Sequence, residues 1–238
     1  VQLYLKEMSL LRVSSNGNLE KVYSVAIDGP AGAGKSTVAK MIAEKLNLVY
    51  VDTGAMYRAI TLKALERGNF SKQGIIKIAE ESTIEIINGR VYLDGRDVTE
   101  EIRNPYVDEK VSTVASIPQV RQRLVEIQRQ MAKNYGVVMD GRDIGTTVLP
   151  NAKYKFYLTA DIKIRAKRRY EEMLSKGIKR DLDKVEKELA QRDKQDTERE
   201  CSPLKVAEDA VIIDTSHKTP EEVVNEILDY IKRDENAL

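Results

Sequence analysis

One stretch narrows the possible folds of this chain more than any other: Ser24-Val25-Ala26-Ile27-Asp28, followed by Gly29-Pro30-Ala31-Gly32-Ala33-Gly34-Lys35-Ser36-Thr37. It joins a short apolar run, a glycine-rich turn and the start of a helical pattern, which is the context a Gly29-x4-Gly34-Lys35-Ser36 phosphate-binding loop requires. The glycines let the backbone curl so that consecutive N–H groups and a helix start face phosphate oxygens. Lys35 then reaches the terminal phosphates, and the Ser36 hydroxyl can ligate magnesium. Residues 29–37 are therefore expected to hold a nucleoside triphosphate.

The rest of the chain alternates strand and helix signals around that loop. Lys21 to Asp28, Leu48 to Val51, Gly136 to Asp140, Lys153 to Thr159 and Ala210 to Asp214 read as strands, apolar enough for a sheet covered on both faces. Val38, Met41, Ile42 and Leu46 give the helix after the loop one apolar face, ending at Asn47. Thr53 is expected to cap a helix running to Gly68. Between Ser82 and Val98 the pattern turns antiparallel, with Asn88-Gly89 as a hairpin turn and Asp94-Gly95 as a second turn. Val120, Leu124, Ile127 and Met131 mark a helix after Pro118. Asp161 opens a helix ending at Gly177, Asp181 caps another closed by Pro203, and Thr219-Pro220-Glu221-Glu222 opens the last with a capping box. The expected fold is α/β, a three-layer parallel-sheet core with the phosphate loop, carrying an inserted antiparallel lobe. Residues 1–20 are expected to be an extension of unknown role, and 21–238 a single domain.

Composition removes several classes of chemistry. With one cysteine (Cys201) and one histidine (His217) in 238 residues, the chain has neither a disulfide framework nor a Cys/His zinc cage, and a histidine-based triad has little to build on. Catalysis must run on lysine, arginine, carboxylates and hydroxyls. A net charge of +1 argues against nucleic acid or an anionic membrane as a partner. No run approaches the roughly 20 apolar residues of a membrane span, and Lys6, Glu7 and Arg12 interrupt the mildly apolar start. A cytoplasmic setting is the expectation.

In parallel sheets ligands gather beyond the carboxyl ends of the strands. Three such ends carry the phosphate loop, Asp52 to Arg58, and Arg142-Asp143. Arg58 and Arg142 can each grip phosphate oxygens in a fork, while Asp143 accepts from amino or hydroxyl donors that phosphate lacks. The pairing suggests a second ligand with both a phosphate and a polar base. Arg165, Arg168 and Arg169 are spaced to share one side of a helix, as are Arg192, Asp196 and Arg199. Arginines that arrive as a site closes can neutralise the charge of phosphoryl transfer. A guanine-reading Asn-Lys-x-Asp is absent, which counts against a GTPase switch.

These segments carry a family resemblance. GPAGAGKST (29–37), VDTGAMYR (51–58), VSTVASIPQVRQ (111–122), VMDGRDIGTTVLPNA (138–152), RAKRRYEEM (165–173) and QRDKQDTERECSPL (191–204) resemble the bacterial cytidylate kinases over about residues 22–233. The resemblance implies ATP-dependent phosphorylation of CMP and dCMP with Mg2+ by a monomer. It also implies a nucleoside-monophosphate lobe at about 53–134 and a lid at about 161–182. By position, Ser112, Arg121 and Asp143 would read cytosine, with Thr53 and Tyr57 nearby and Arg199 assisting. Arg58 and Arg142 would hold the monophosphate, and Arg192 and Asp196 the ribose. Lys35, Arg142, Arg165, Arg168 and Arg169 would act on the transferring phosphoryl group. A kinase for another small acceptor is the remaining enzymatic alternative.

Overall fold

Strand β1 (Ser24–Asp28) lies at the centre of the sheet because both of its faces are apolar. Val25 and Ile27 are fully buried on one side against α1 (Lys35–Lys45) and α8 (Pro220–Asn236). Ala26 is buried on the other side with Val51, Met139 and Val125. This period of two, apolar at every step, is what a central parallel strand requires. The computed structural model describes residues 23–87 and 89–236; the 1–20 extension and Asn88 of the hairpin turn lie outside the described residues.

The parallel sheet has the order β2-β6-β1-β7-β8, with β2 at Val49–Asp52, β6 at Val137–Asp140, β7 at Tyr154–Thr159 and β8 at Val211–Asp214. Val25 pairs with Val138 on one side and Tyr154 on the other, and Val51 pairs with Met139. The ends of β1, β6 and β2 are therefore adjacent. This brings the phosphate loop, Asp140 to Asp143, and Asp52 to one edge of the sheet.

A second layer of structure stands beyond that edge. Helices α2 (Thr53–Glu66) and α3 (Lys72–Glu81) lead into a three-stranded antiparallel sheet of β3 (Ile84–Ile87), β4 (Arg90–Leu93) and β5 (Arg96–Asp97). Gly89 and Gly95 turn the chain there with φ of 75° and 82°, values an L side chain rarely adopts. The stretch before Pro118, unassigned from sequence, holds α4 (Pro105–Ala115); Val107, Val111 and Val114 give it a buried stripe, and α5 (Pro118–Asn134) returns to the sheet. These elements share one core of their own, which includes Met56, Ile60, Ile75, Val91, Val107 and Leu124. A separate core lets this lobe form an independent wall opposite the loop.

Helices α6 (Ile162–Ser175) and α7 (Leu182–Glu198) pack on each other through Ala166, Met173, Val185 and Leu189, and Ala31 of the loop joins that cluster. Asp161 and Asp181 cap them, accepting from the Lys163 and Lys184 amides, and Glu222 and Thr219 close the expected capping box. Two expectations change. Asp52, not Thr53, caps α2, accepting from the Ala55 amide at 2.9 Å, while the Thr53 hydroxyl donates to the Asp140 carbonyl at 2.7 Å. Helix α7 ends at Glu198, before Arg199, and Pro203 lies beyond its end. Among the described residues no helix is long and apolar enough to cross a membrane.

Gly29 is the tightest point of this arrangement. Its φ is 142°, and a Cβ there would come within 2.0 Å of the Leu158 carbonyl oxygen on β7. Gly29→Ala is expected to cost roughly 2 kcal/mol or more of folding stability, read as a lower urea midpoint with unchanged slope. An unchanged midpoint would show that the loop and β7 part easily.

Candidate functional site

The three strand ends open into a cleft of about 890 Å3, lined on one side by the phosphate loop and on the other by α2, α4 and α7. The donor half is built from backbone. Gly34 caps α1 in the left-handed region (φ 85°), and no side chain caps the helix. The Val38 amide is the first to bond back, to Gly34, so the Lys35, Ser36 and Thr37 amides have no intrahelical partner and face the cleft. Three contacts hold the loop in this shape. Gly29 lies against Leu158, the Arg165 guanidinium donates to the Ala31 carbonyl at 3.0 Å, and the Thr215 hydroxyl donates to the Ala33 carbonyl at 3.1 Å. Gly32 lets the loop pass close over Arg165.

Lys35 is buried and folds back so that Nζ donates to the Pro30 carbonyl at 2.6 Å. Burial, and then the nearby Arg142, push its ammonium down to about 7, although Asp140 and Asp28 pull the other way. Ser36 donates to Asp140 at 2.8 Å, and the Tyr50 hydroxyl donates to the other Asp140 oxygen at 2.9 Å. Burial and the neighbouring Asp52 raise the Asp140 carboxyl to about 6. Asp140 is a site residue that the sequence reading passed over as a strand end. Its signal was its place one residue before Gly141-Arg142-Asp143 at the close of a wholly apolar strand. Asp28, also raised to about 6 by burial, accepts from the Ile144 and Gly145 amides and ties β1 to the segment after β6.

The half expected to take the acceptor is built from side chains. Arg121 and Asp143 form a buried ion pair, and Arg121 also donates to the Ala115 carbonyl at 3.0 Å and stands over the Tyr57 ring at 5.2 Å. Arg199, at the end of α7, lies 3.6 Å from Asp143 and 3.8 Å from Asp196. Arg142 donates through Nε to Asp196 at 2.8 Å, and Arg142, Arg192 and Arg199 together hold the Asp196 carboxyl below the usual range despite its burial. Arg192 is pushed down to about 10 by burial and by Arg142 and Arg58. Thr53 and Ser112 line the cleft beside these groups.

The expected arginine triplet divides. Arg165 is buried, donating to Ala160, Ala31 and Asp193 outside the cleft lining. Arg168 turns toward the donor side and donates to the Thr215 carbonyl and hydroxyl. Only Arg169 crosses to the acceptor half, where it pairs with Asp108. The three positions span only about 100° of the helix and leave it on one side, but their partners, Asp193, Thr215 and Asp108, come from three different segments and draw the side chains apart. Asp108, in the first turn of α4, also pairs with Arg58 and lies 3.9 Å from Arg192. It was missed because α4 was unassigned; its i, i+4 relation to Ser112 was the available signal.

A parallel sheet with a phosphate loop at one strand end and a separately cored, arginine-lined lobe facing it defines a phosphate-loop kinase for a small phosphorylated acceptor. A crystal structure of an uncharacterized protein from Eubacterium ventriosum shares this fold, with a TM-score of 0.50 at 17% identity over 90% of this chain and 99% of that one. The chain belongs to the cytidylate kinase family, whose profile matches residues 25–233. Relatives named cytidylate kinase include that of Caldanaerobacter subterraneus subsp. tengcongensis, 52% identical over 88% of this chain and 94% of the relative. That of Desulforamulus reducens is 56% identical over 88% and 96%.

The low value at Lys35 makes a signed expectation. In the free site the ammonium is half titrated near pH 7, and a bound triphosphate would return it toward its ordinary value of 10.5. Binding then takes up about half a proton at pH 7, and affinity falls as pH rises through 7. Calorimetric titration of ATP in two buffers of different ionisation heat should show greater uptake in the native chain than in Lys35→Met. Equal uptake would place the titrating group elsewhere.

Proposed function

We propose that the chain transfers the γ-phosphate of ATP directly to the phosphate of CMP or dCMP, giving the diphosphate and ADP. The observation that carries this reading is the set of buried polar atoms without a hydrogen-bond partner around the acceptor half: Tyr57 Oη, Arg121 Nε, Arg192 Nε and Arg199 Nη2, the last 3.6 Å from Asp143. Buried donors without partners cost about 1–3 kcal/mol each unless a ligand satisfies them. Cytosine offers two acceptors and one amino donor. Arg121 and Arg199 complement the acceptors, and Asp143 between them complements the amino group. Uracil would turn a carbonyl toward that carboxylate, so CMP is preferred over UMP.

The remaining groups take roles by position. Arg58 and Arg142 hold the acceptor phosphate, and Arg192 and Asp196 meet the ribose. The open amides at 35–37 and the Lys35 ammonium hold the donor phosphates. Arg169 and Arg142 neutralise charge between the two substrates. Arg165 supports the loop from below through Ala31, and Arg168 serves the donor side. No general base is required, because a phosphate oxygen is already a nucleophile, and positioning with charge neutralisation suffices. The lid is residues 161–182, α6 and the turn that leads into α7.

Ser36 and Asp140 suit Mg2+. Both offer oxygen, the donor a hard dication takes, and they already share a hydrogen bond beside the phosphate loop. Bound with ATP, the cation would supply charge neutralisation for the transferring phosphoryl group.

A coupled ATP assay across CMP, dCMP, UMP, AMP and GMP tests the reading. Turnover should be greatest with CMP and dCMP, and comparable rates with AMP or GMP would overturn it. Arg142→Ala should lower turnover by roughly 10²-fold. Asp143→Asn should lose cytosine-nucleotide binding while ATP binding persists; equal loss of both would remove Asp143 from the base pocket.

A further inference from the structure

Asp108 occupies the place where the acceptor phosphate is to be held. Its carboxylate pairs with Arg58 Nη1 from α2 and Arg169 Nη2 from α6, and Arg192 Nη1 from α7 lies 3.9 Å away. These cations come from three separate elements, and Asp108 from a fourth. Burial alone would raise this carboxyl, yet Arg58, Arg169 and Arg192 hold it below the usual range, so it stays ionised. Arg142, the other phosphate-gripping arginine, is held differently, through Nε by Asp196. The nest thus holds a negative charge of the protein's own.

We infer that Asp108 is an internal counter-ion for the acceptor-phosphate nest, a positioning residue that the incoming phosphate displaces from Arg58. Two physical arguments carry this. First, Arg58, Arg169 and Arg192 converge in a half-buried space, and like charges so placed repel strongly at the reduced dielectric of a cleft. A carboxylate among them keeps the guanidiniums gathered before substrate arrives. Second, a phosphate dianion cannot share the Arg58 fork with a carboxylate without the same repulsion, now between anions. The exchange replaces one negative charge by two, so binding is favoured, but by less than in a nest without its own anion. Asp108 therefore sets how tightly the acceptor binds and keeps weaker, singly charged anions out. The first turn of α4 bonds through the Val107 and Asp108 amides to the Asn104 carbonyl, which gives Asp108 a fixed starting place from which it is displaced.

This inference rests on the proposed acceptor site, though not on which base the acceptor carries. The test uses the full chain and inorganic phosphate as the probe. Asp108→Asn keeps the side chain's size and removes its charge. Phosphate should bind the variant about tenfold more tightly than the native chain, and the KM for CMP should fall while kcat does not rise. If Asp108 only braces the arginines, the variant will bind phosphate more weakly and its KM will rise, which overturns the proposal. Thermal melts guard against a folding defect. Without phosphate the variant should melt lower than the native chain, and saturating phosphate should raise its Tm by more than it raises the native one. An equal rise in both overturns the proposal, as does unchanged phosphate affinity. Failure of the native chain to phosphorylate CMP would instead overturn the acceptor assignment and leave the phosphate comparison intact.

Discussion

Mutual repulsion among the arginines of the acceptor half is the constraint on which the rest of the site depends. Arg58, Arg142, Arg169 and Arg192 are drawn together by a fold whose overall charge is only +1. Each is neutralised locally, by Asp108 or Asp196, and the base pocket repeats the device with Arg121, Asp143 and Arg199. Pairing one buried charge with another seldom stabilises a protein outright, because desolvation offsets the attraction. What the pairs provide here is arrangement. They hold cations from α2, α5, α6 and α7 facing one space, ready to exchange a protein carboxylate for a ligand's phosphate.

The donor half solves its problem in the opposite way. The loop itself carries no side-chain charge but Lys35 and depends on backbone geometry: it is pressed against Leu158, fastened by Arg165 and Thr215, and ended by an uncapped helix. Ala31 packs in the α6–α7 cluster, so the helices bearing Arg169 and Arg192 rest directly on the loop. Those helices and the loop therefore share one packed cluster.

Local chemistry explains which features could be read in advance. Strand alternation, the glycines of the loop, and the caps at Asp161, Asp181 and Thr219 are set by residues a few positions apart, and they stand where the pattern puts them. The cluster of Arg121, Asp143 and Arg199 was reachable too, since its residues sit at a strand end and on motif-bearing helical segments. Helix α4 was not, because eleven residues with a proline start and three valines give a short, weak period. Asp108 was lost with it. The cap of α2 was misplaced by one residue because Asp52 and Thr53 both suit the position, and only the Asp140 carbonyl, 87 residues away, claims the Thr53 hydroxyl.

The sequence by itself determined the chemistry: a loop for a triphosphate, a parallel sheet to carry it, and a supply of arginine and carboxylate with no thiol or imidazole machinery. Tertiary structure decided the assignment of each charge. Arg165, Arg168 and Arg169 are nearly adjacent in the chain, yet one braces the loop, one faces the donor side and one meets Asp108. A helical period sets only the direction in which a side chain leaves its axis. Its partner is set by whatever distant segment the packing places there, and in this molecule those partners are carboxylates and carbonyls from elements far apart in the chain.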